Sequence, residues 1–261
     1  MKLDDSVAAV VTGAASGLGE ATARLLADHG VKVALFDLNE ERGHAIAAEI
    51  QGVFCRVDVT DDGSVEAGLA ASRARHGAER ILVNCAGIAP GRKTVSKNRD
   101  TGVLVGHDMR VFKSAIEVNL VGTFRMIAAS AAGMAGLDPI SQDGGRGVIV
   151  NTASVAATDG QIGQAAYSAS KGGILGLTLP VARDLAGYGI RVVSIMPGLF
   201  HTPMFDSVPE EVRTALEKSV PFPSRLGRPE EYAKLVRAIV ENDMLNGESI
   251  RLDGALRMQP K

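Results

Sequence analysis

The chain has 261 residues, 46% hydrophobic and 22% charged, with a formal net charge of −2. That length holds one α/β domain or two small ones around a substantial core, and the composition excludes a disordered or fibrous chain. The near-neutral balance gives no overall attraction for nucleic acid or anionic lipid, so neither is an expected partner.

Thirty glycines stand against seven Phe, three Tyr and no Trp, a skew toward tight turns rather than surfaces that stack bases. Cys55 and Cys85 are too few for a disulfide framework and lack zinc-ligand spacing, so reduced thiols and no metal site are expected. Met1-Lys2-Leu3-Asp4-Asp5 carries acids where a signal peptide has basic residues, and the most apolar stretch, Met126–Leu137, is short and broken by Ser130 and Gly133. A soluble, cytoplasmic protein without a membrane span is the expectation.

In chain order, Val7–Val11, Val31–Phe36, Gly52–Val57, Ile81–Val83, Gly147–Asn151 and Arg191–Ile195 read as strands, with a last one near Ser249–Leu252. Between them Gly19–His29, Asn39–Glu49, Ser64–His76, Val111–Met134, Tyr167–Ala186 and Glu230–Val240 read as helices. Apolar strands alternating with helices predict a single doubly wound parallel sheet, covered on both faces, within one domain spanning 1–261. Two segments break the alternation. Residues 90–110 form a polar loop carrying Arg92, Lys93, Lys97, Arg99 and Arg110 against Asp100 and Asp108, and 199–225 mixes apolar residues with prolines. Both are candidates for the rim of a ligand site beyond the carboxyl ends of the strands.

After the first strand, Thr12-Gly13-Ala14-Ala15-Ser16-Gly17-Leu18-Gly19 opens directly into a helix. Glycines at 13, 17 and 19 permit a sharp turn and close approach to a pyrophosphate, which a helix N-terminus stabilises through free N–H groups and its dipole. The spacing G-x-x-x-G-x-G differs from the usual G-x-G-x-x-G, and a turn that merely packs a helix on a strand has a similar composition. Asp37 ends the second strand, where a carboxylate accepts from adenosine ribose hydroxyls and repels a 2′-phosphate. Ala15 and Leu38 offer no cation for that phosphate, which favours NAD over NADP. Asp58, with Val59 beside it, follows the third strand at a position suited to the adenine edge. Asn84-Cys85-Ala86-Gly87 gives a small-residue floor after the fourth.

Tyr167 and Lys171 are four residues apart and share a helix face. An ammonium near a phenol favours the phenolate and lowers its pKa, which suits a general acid/base. Ser154 follows the strand ending in Asn151 and lies at a carboxyl edge, where its hydroxyl polarises a substrate carbonyl. A lone Y-x-x-x-K is common on helix surfaces; its weight comes from the glycine turn and the strand-end serine.

With Thr12-Gly13-x-x-x-Gly17-x-Gly19, Asn84-x-Ala86-Gly87, Asn119, Ser154, Tyr167-x-x-x-Lys171 and Pro197-Gly198 in order, the chain resembles the short-chain dehydrogenase/reductase family over nearly its whole length. The resemblance implies a Rossmann-type oxidoreductase with NAD held by Gly13, Ser16, Gly17, Leu18, Gly19, Asp37, Asp58, Val59, Asn84, Ala86 and Gly87. Pro197, Gly198, Leu199 and Thr202 complete that set. It implies Tyr167 as acid/base and Lys171 as holder of the nicotinamide ribose. Ser154 would orient the substrate oxygen, and Asn119 would support a water-linked proton relay.

Pro221-Phe222-Pro223-Ser224-Arg225-Leu226-Gly227 and the segment Asn246–Ala255 look like the family's 3-hydroxyacyl-CoA dehydrogenase branch. That branch implies short or branched 3-hydroxyacyl-CoA substrates, tolerance of hydroxysteroids, a place in fatty acid metabolism and a homotetramer. His201 stands where a small residue is expected, and the 90–110 loop diverges. Gln161, Phe200 and Met204 are the expected walls of the substrate pocket, beside Ser154 and Tyr167. Other readings are a 3-oxoacyl carrier-protein reductase, and a cofactor-binding scaffold or RNA-processing partner.

Overall fold

Strands of Ala, Val, Ile and Leu without polar alternation have two faces to bury, and the chain sets them edge to edge between two helical layers. The structure is a computed structural model and describes residues 1–203 and 210–260. The first half runs β1 (Ala8–Thr12), α1 (Gly17–Asp28), β2 (Lys32–Asp37), α2 (Glu40–Glu49), β3 (Val53–Arg56), α3 (Asp62–His76) and β4 (Ile81–Asn84). A hairpin of β5 (Val95–Lys97) and β6 (Leu104–Gly106) follows, then α4 (Met109–Ile116), a π-helical turn (Glu117–Gly122) and α5 (Thr123–Ala135). The second half contains β7 (Gly147–Thr152), α6 (Ala165–Ala186), β8 (Ile190–Pro197), α7 (Glu210–Ser219), α8 (Pro229–Glu241) and β9 (Ser249–Leu252).

Seven strands make one parallel sheet in the order β3-β2-β1-β4-β7-β8-β9. The winding direction reverses between β1 and β4, the crevice where open α/β sheets take ligands. Alternate residues of each strand feed opposite layers. Val11, Val83 and Val150 pack with Leu26 of α1 and Tyr232 and Val236 of α8, whereas Val10, Leu82 and Ile149 pack with Leu69 of α3 and Met126 of α5. The register aligns Thr12 with Asn84, Asn84 with Asn151, and Asn151 with Ser194. A buried polar row therefore crosses the carboxyl edge, with Asn84 Nδ2 donating to Asn151 Oδ1 at 2.9 Å.

Three differences from the sequence expectation matter. Residues 90–110 contain the β5–β6 hairpin, turned at Asn98–Gly102, where the Asn98 side chain accepts from Asp100 and Thr101 amides. It holds Val95, Val103, Leu104 and Val105 outward into solvent. Residues 199–225 include α7.

The predicted helix 111–134 is a longer run, Met109–Ala135, with the π turn in its middle; by length and composition alone it could cross a bilayer. Here it packs on β4, β7 and α6 instead. The wide π turn places Asn119 and Gly122 inward together, a departure that π turns make at functional sites.

Candidate active site

A cleft of about 540 Å³ opens along the carboxyl edge of the sheet, from Asp37 and the glycine turn to Ser154, Tyr167 and Lys171. Gly13 adopts φ +64°, and a Cβ there would sit 2.8 Å from the Ala86 amide nitrogen. Only glycine permits that approach of the turn to the β4 loop. Gly17, at φ +54°, leaves room for Thr202, whose Cγ2 would be 3.2 Å from an added Cβ. Ser16 caps α1 without a side-chain bond to the first turn, so N–H groups there remain available to an anion. Ser16, Leu18 and Gly19 all face the cleft.

Asp37 braces this turn, its Oδ2 accepting the Ala15 amide and its Oδ1 that of Asn39, both at 2.9 Å. Leu38 beside it is half-exposed and apolar. Arg42 is occupied, bonding Glu20 at 2.7 Å and the Ala15 carbonyl at 3.4 Å. Asp58 Oδ1 accepts from the Thr60 amide and hydroxyl, bonds that lower its pKa, and Val59 lies next to it in the wall. The chain's own groups thus fit an adenine dinucleotide: a glycine cradle a side chain would fill, a helix N-terminus for pyrophosphate, and a strand-end carboxylate with no free cation beside it among the described residues.

At the other end, α6 carries Tyr167 and Lys171 into the cleft. The Lys171 Nζ lies 5.9 Å from the centroid of the Tyr167 ring and donates to the Thr152 carbonyl at 2.7 Å. Burial pushes this ammonium down to about 8. Burial also raises the Tyr167 phenol, and the facing Ser154 hydroxyl pulls it back. Proximity to the ammonium, the effect expected from the sequence, is thus opposed by desolvation of both partners. Ser154 heads the short 3₁₀ turn Val155–Ala157, its Oγ accepting the Ala156 amide at 3.1 Å.

Beneath lies a network that no local motif announced. Thr152 Oγ1 donates to the Asn84 carbonyl at 2.6 Å and lies 2.7 Å from the hydroxyl of Tyr232, fully buried in α8. Cys85 Sγ sits 3.7 Å from the same phenol, and burial raises the thiol.

Ala86, Gly87, Pro197, Gly198, Leu199, Phe200 and Thr202 line the cleft. Three expected site residues are not among those that line it. The register buries the Asn84 side chain between β4 and β7, where its Nδ2 donates to Asn151 and its Oδ1 has no partner among the described residues. Asn119 Oδ1 accepts the Ile88 amide, and its Nδ2 donates to the Ile88 carbonyl and Ser170 Oγ, all within 2.9 Å; it braces α6 against the β4 loop. Gln161 points to the Gln259 carbonyl at 2.9 Å. Met204 lies outside the described residues. His201 is exposed and outside the main cleft, so its bulk does not narrow it. Gln164, Ile88, Val118 and Met258 line the cleft without having been anticipated; Gln164, three residues before Tyr167, was within reach of helix periodicity.

The residues match a known architecture. The family described as short chain dehydrogenase matches residues 7–213. The chain is 54% identical to 3-hydroxyacyl-CoA dehydrogenase type-2 of Drosophila melanogaster, covering 96% of this chain and 97% of that one. It is 53% identical to the Homo sapiens protein of the same name, covering 97% and 95%. A crystal structure of 3-hydroxyacyl-CoA dehydrogenase type-2 from Mycobacterium avium superposes with a TM-score of 0.93 at 40% identity over 100% of both chains.

The buried lysine yields a test of this geometry. Its folded value of about 8 lies below the ordinary 10.5, so between these pH values the unfolded chain holds more protons. Lys171 therefore lowers stability below pH 8 by up to about 3 kcal/mol, and that loss is relieved as pH rises toward 10.5. The raised cysteine and tyrosine groups act with the opposite sign at high pH, so Lys171→Met is compared with wild type. The melting temperature of the variant should exceed that of wild type most near pH 7 and converge on it by pH 10. A difference independent of pH would contradict a buried, titrating Lys171.

Proposed function

The chain belongs to the short-chain dehydrogenase family, and on that premise we propose that it uses NAD to oxidise a short or branched 3-hydroxyacyl-CoA to the 3-oxoacyl-CoA. The observation that carries this is one uninterrupted cleft joining Asp37 and the glycine turn to Ser154, Tyr167 and Lys171. Gly13, Gly17, Gly19 and Asp37 would hold the adenosine and pyrophosphate half. Pro197, Gly198, Leu199 and Thr202 would hold the nicotinamide half, with Lys171 on its ribose. Acceptance of a hydride is the chemistry the dinucleotide supplies when bound.

The protein's part is the proton. Ser154 holds the substrate hydroxyl by its oxygen, and the Tyr167 phenolate takes the proton as the carbon is oxidised. The Ser154 hydroxyl counters part of the burial that keeps the phenol protonated, and the Lys171 ammonium, 5.9 Å from the ring centroid, favours the phenolate by opposite charge. An anionic dinucleotide nearby favours the charged form of Lys171. Fully bonded Asn119 serves this proton path by fixing α6 beside the β4 loop. The same catalytic set serves a carrier-protein reductase, but Asp37 and the occupied Arg42 disfavour the 2′-phosphate such a reading calls for. A complete cleft likewise disfavours a pure scaffold.

The assembly we favour is a homotetramer, supported by the exposed apolar Val121 and Phe124 along the π turn and α5 and Leu179 on α6. Free Cys55 and Cys85 agree with a reducing, cytoplasmic setting.

Absorbance at 340 nm across 3-hydroxyacyl-CoA esters and simple secondary alcohols, with NAD and NADP in parallel, tests the reading. Acyl-CoA esters with NAD should lead, NADP should be worse by about 10²-fold through like-charge contact with Asp37, and Tyr167→Phe should lower kcat by at least about 10²-fold. Full activity in that variant would contradict the assignment of the acid/base.

The β5–β6 hairpin gives a second test. Lys93, Lys97 and Arg99 are exposed and lack a carboxylate partner among the described residues, whereas Arg92 and Arg110 share Asp108. These three cations fit the phosphates of CoA. Neutralising them should raise KM for an acyl-CoA ester and leave an uncharged alcohol unaffected; equal effects would reject CoA recognition by the hairpin.

A further inference from the structure

The segment that follows β9 is tied over the loop that carries Ser154. Arg251, near the end of β9, uses all three guanidinium nitrogens. Its Nε donates to Asp253 Oδ2 at 2.7 Å, and its Nη1 to Thr158 Oγ1 at 2.9 Å and Asp159 Oδ1 at 3.3 Å. Its Nη2 donates to Asp159 Oδ2 at 2.6 Å and to the Leu256 carbonyl at 3.0 Å. The Asp159 and Asp253 side chains are 15% and 7% exposed, so this charge-assisted fork is shielded from water and fixed in orientation.

The Arg251 fork above all keeps the Asp159 carboxyl below its ordinary pKa, and the nearby Met258 amide adds to that effect. Gln161 Nε2 donates to the Gln259 carbonyl at 2.9 Å, and the Ile162 amide to the Pro260 carbonyl at 3.0 Å. Leu256 is buried. Between these anchors, Met258 lines the same cleft as Ser154, Val155 and Gln164.

The strap lies on the catalytic half of the cleft. Its partners Thr158, Asp159, Gln161 and Ile162 all follow Ser154 after β7. Asp37 ends β2, three strand positions away in the sheet, which is roughly 14 Å. Met258 therefore faces what binds beside Ser154 and Tyr167, not the adenosine end.

We propose that Met258 is a specificity-determining residue whose side chain limits the carbon chain next to the reacting hydroxyl, with Arg251 and Asp159 as the positioning residues that hold it there. This rests on the secondary-alcohol chemistry argued above. An unbranched thioether side chain deforms readily, so the limit is graded: efficiency declines smoothly with chain length.

The test measures kcat and KM for wild type, Met258→Ala and Met258→Phe with NAD. The substrates are 3-hydroxyacyl-CoA esters of four to ten carbons and free 2-alkanols of matching lengths, with NADH affinity and melting temperature recorded for each protein. Met258→Ala should raise the ten-carbon to four-carbon ratio of kcat/KM by about tenfold, mainly through KM, and Met258→Phe should lower it similarly. NADH affinity should stay at the wild-type value. Asp159→Asn should shift the ratio in the direction of Met258→Ala and add nothing to it in the double variant.

A ratio within about twofold of wild type in both Met258 variants overturns the strap. Turnover of the alcohols but no acyl-CoA ester overturns the substrate reading alone, since the alcohol series still decides the strap. No turnover in either series overturns both.

Discussion

One buried contact fixes the chemistry of this fold: the Lys171 ammonium donating to the Thr152 carbonyl at 2.7 Å. It joins the catalytic helix to the last residue of a central strand. Ser154 follows two residues beyond that carbonyl, and Tyr167 lies one helical turn before the lysine, so both catalytic side chains are placed by the same joint. Thr152 is itself fixed by the Asn84 carbonyl and the phenol of Tyr232. The helix, two strands and α8 therefore meet at one residue. Taking an ammonium out of water for a single carbonyl is costly, and the depressed pKa of Lys171 is the sign of that cost.

The layered architecture was legible because burial on both faces leaves its mark on every central strand. Val10–Val11, Leu82–Val83 and Ile149–Val150 have no polar partner face, and each pair splits between the two helical layers. The β5–β6 hairpin was not legible. Its strands have three residues each, too few for a period, and their apolar side chains face solvent. The π turn was hidden for a different reason, since Glu117–Gly122 continues the helical pattern on either side and only the backbone shows the wider turn.

Within the site, the residues that touch the cleft through backbone or local spacing were readable. Gly13, Gly17, Gly19, Asp37, Ser154, Tyr167 and Lys171 belong to short motifs whose chemistry depends on neighbours in sequence. Asn84, Asn119 and Gln161 have side chains of the right chemistry, but their partners come from distant segments: Asn151, Ile88 with Ser170, and Gln259. Those long-range bonds turn them from cleft residues into braces. Tyr232 and Met258 escaped notice by the same logic, because a phenol in an amphipathic helix and a methionine near the end of the chain read as ordinary packing. Few tyrosines made Tyr167 conspicuous, and the structure separates it cleanly from Tyr188, which is exposed, and Tyr232, which is sealed beneath the sheet edge.

Lys171 and Ser154 are the groups placed to counter the burial of Tyr167, which the phenol must overcome to act as a base. The most direct measurement is the pH dependence of kcat/KM for alcohol oxidation in wild type and in Lys171→Met. If the lysine charge lowers the barrier to phenolate formation, wild type shows a rising limb that is displaced to higher pH in the residual activity of the variant. Superimposable pH profiles in the two proteins would contradict it.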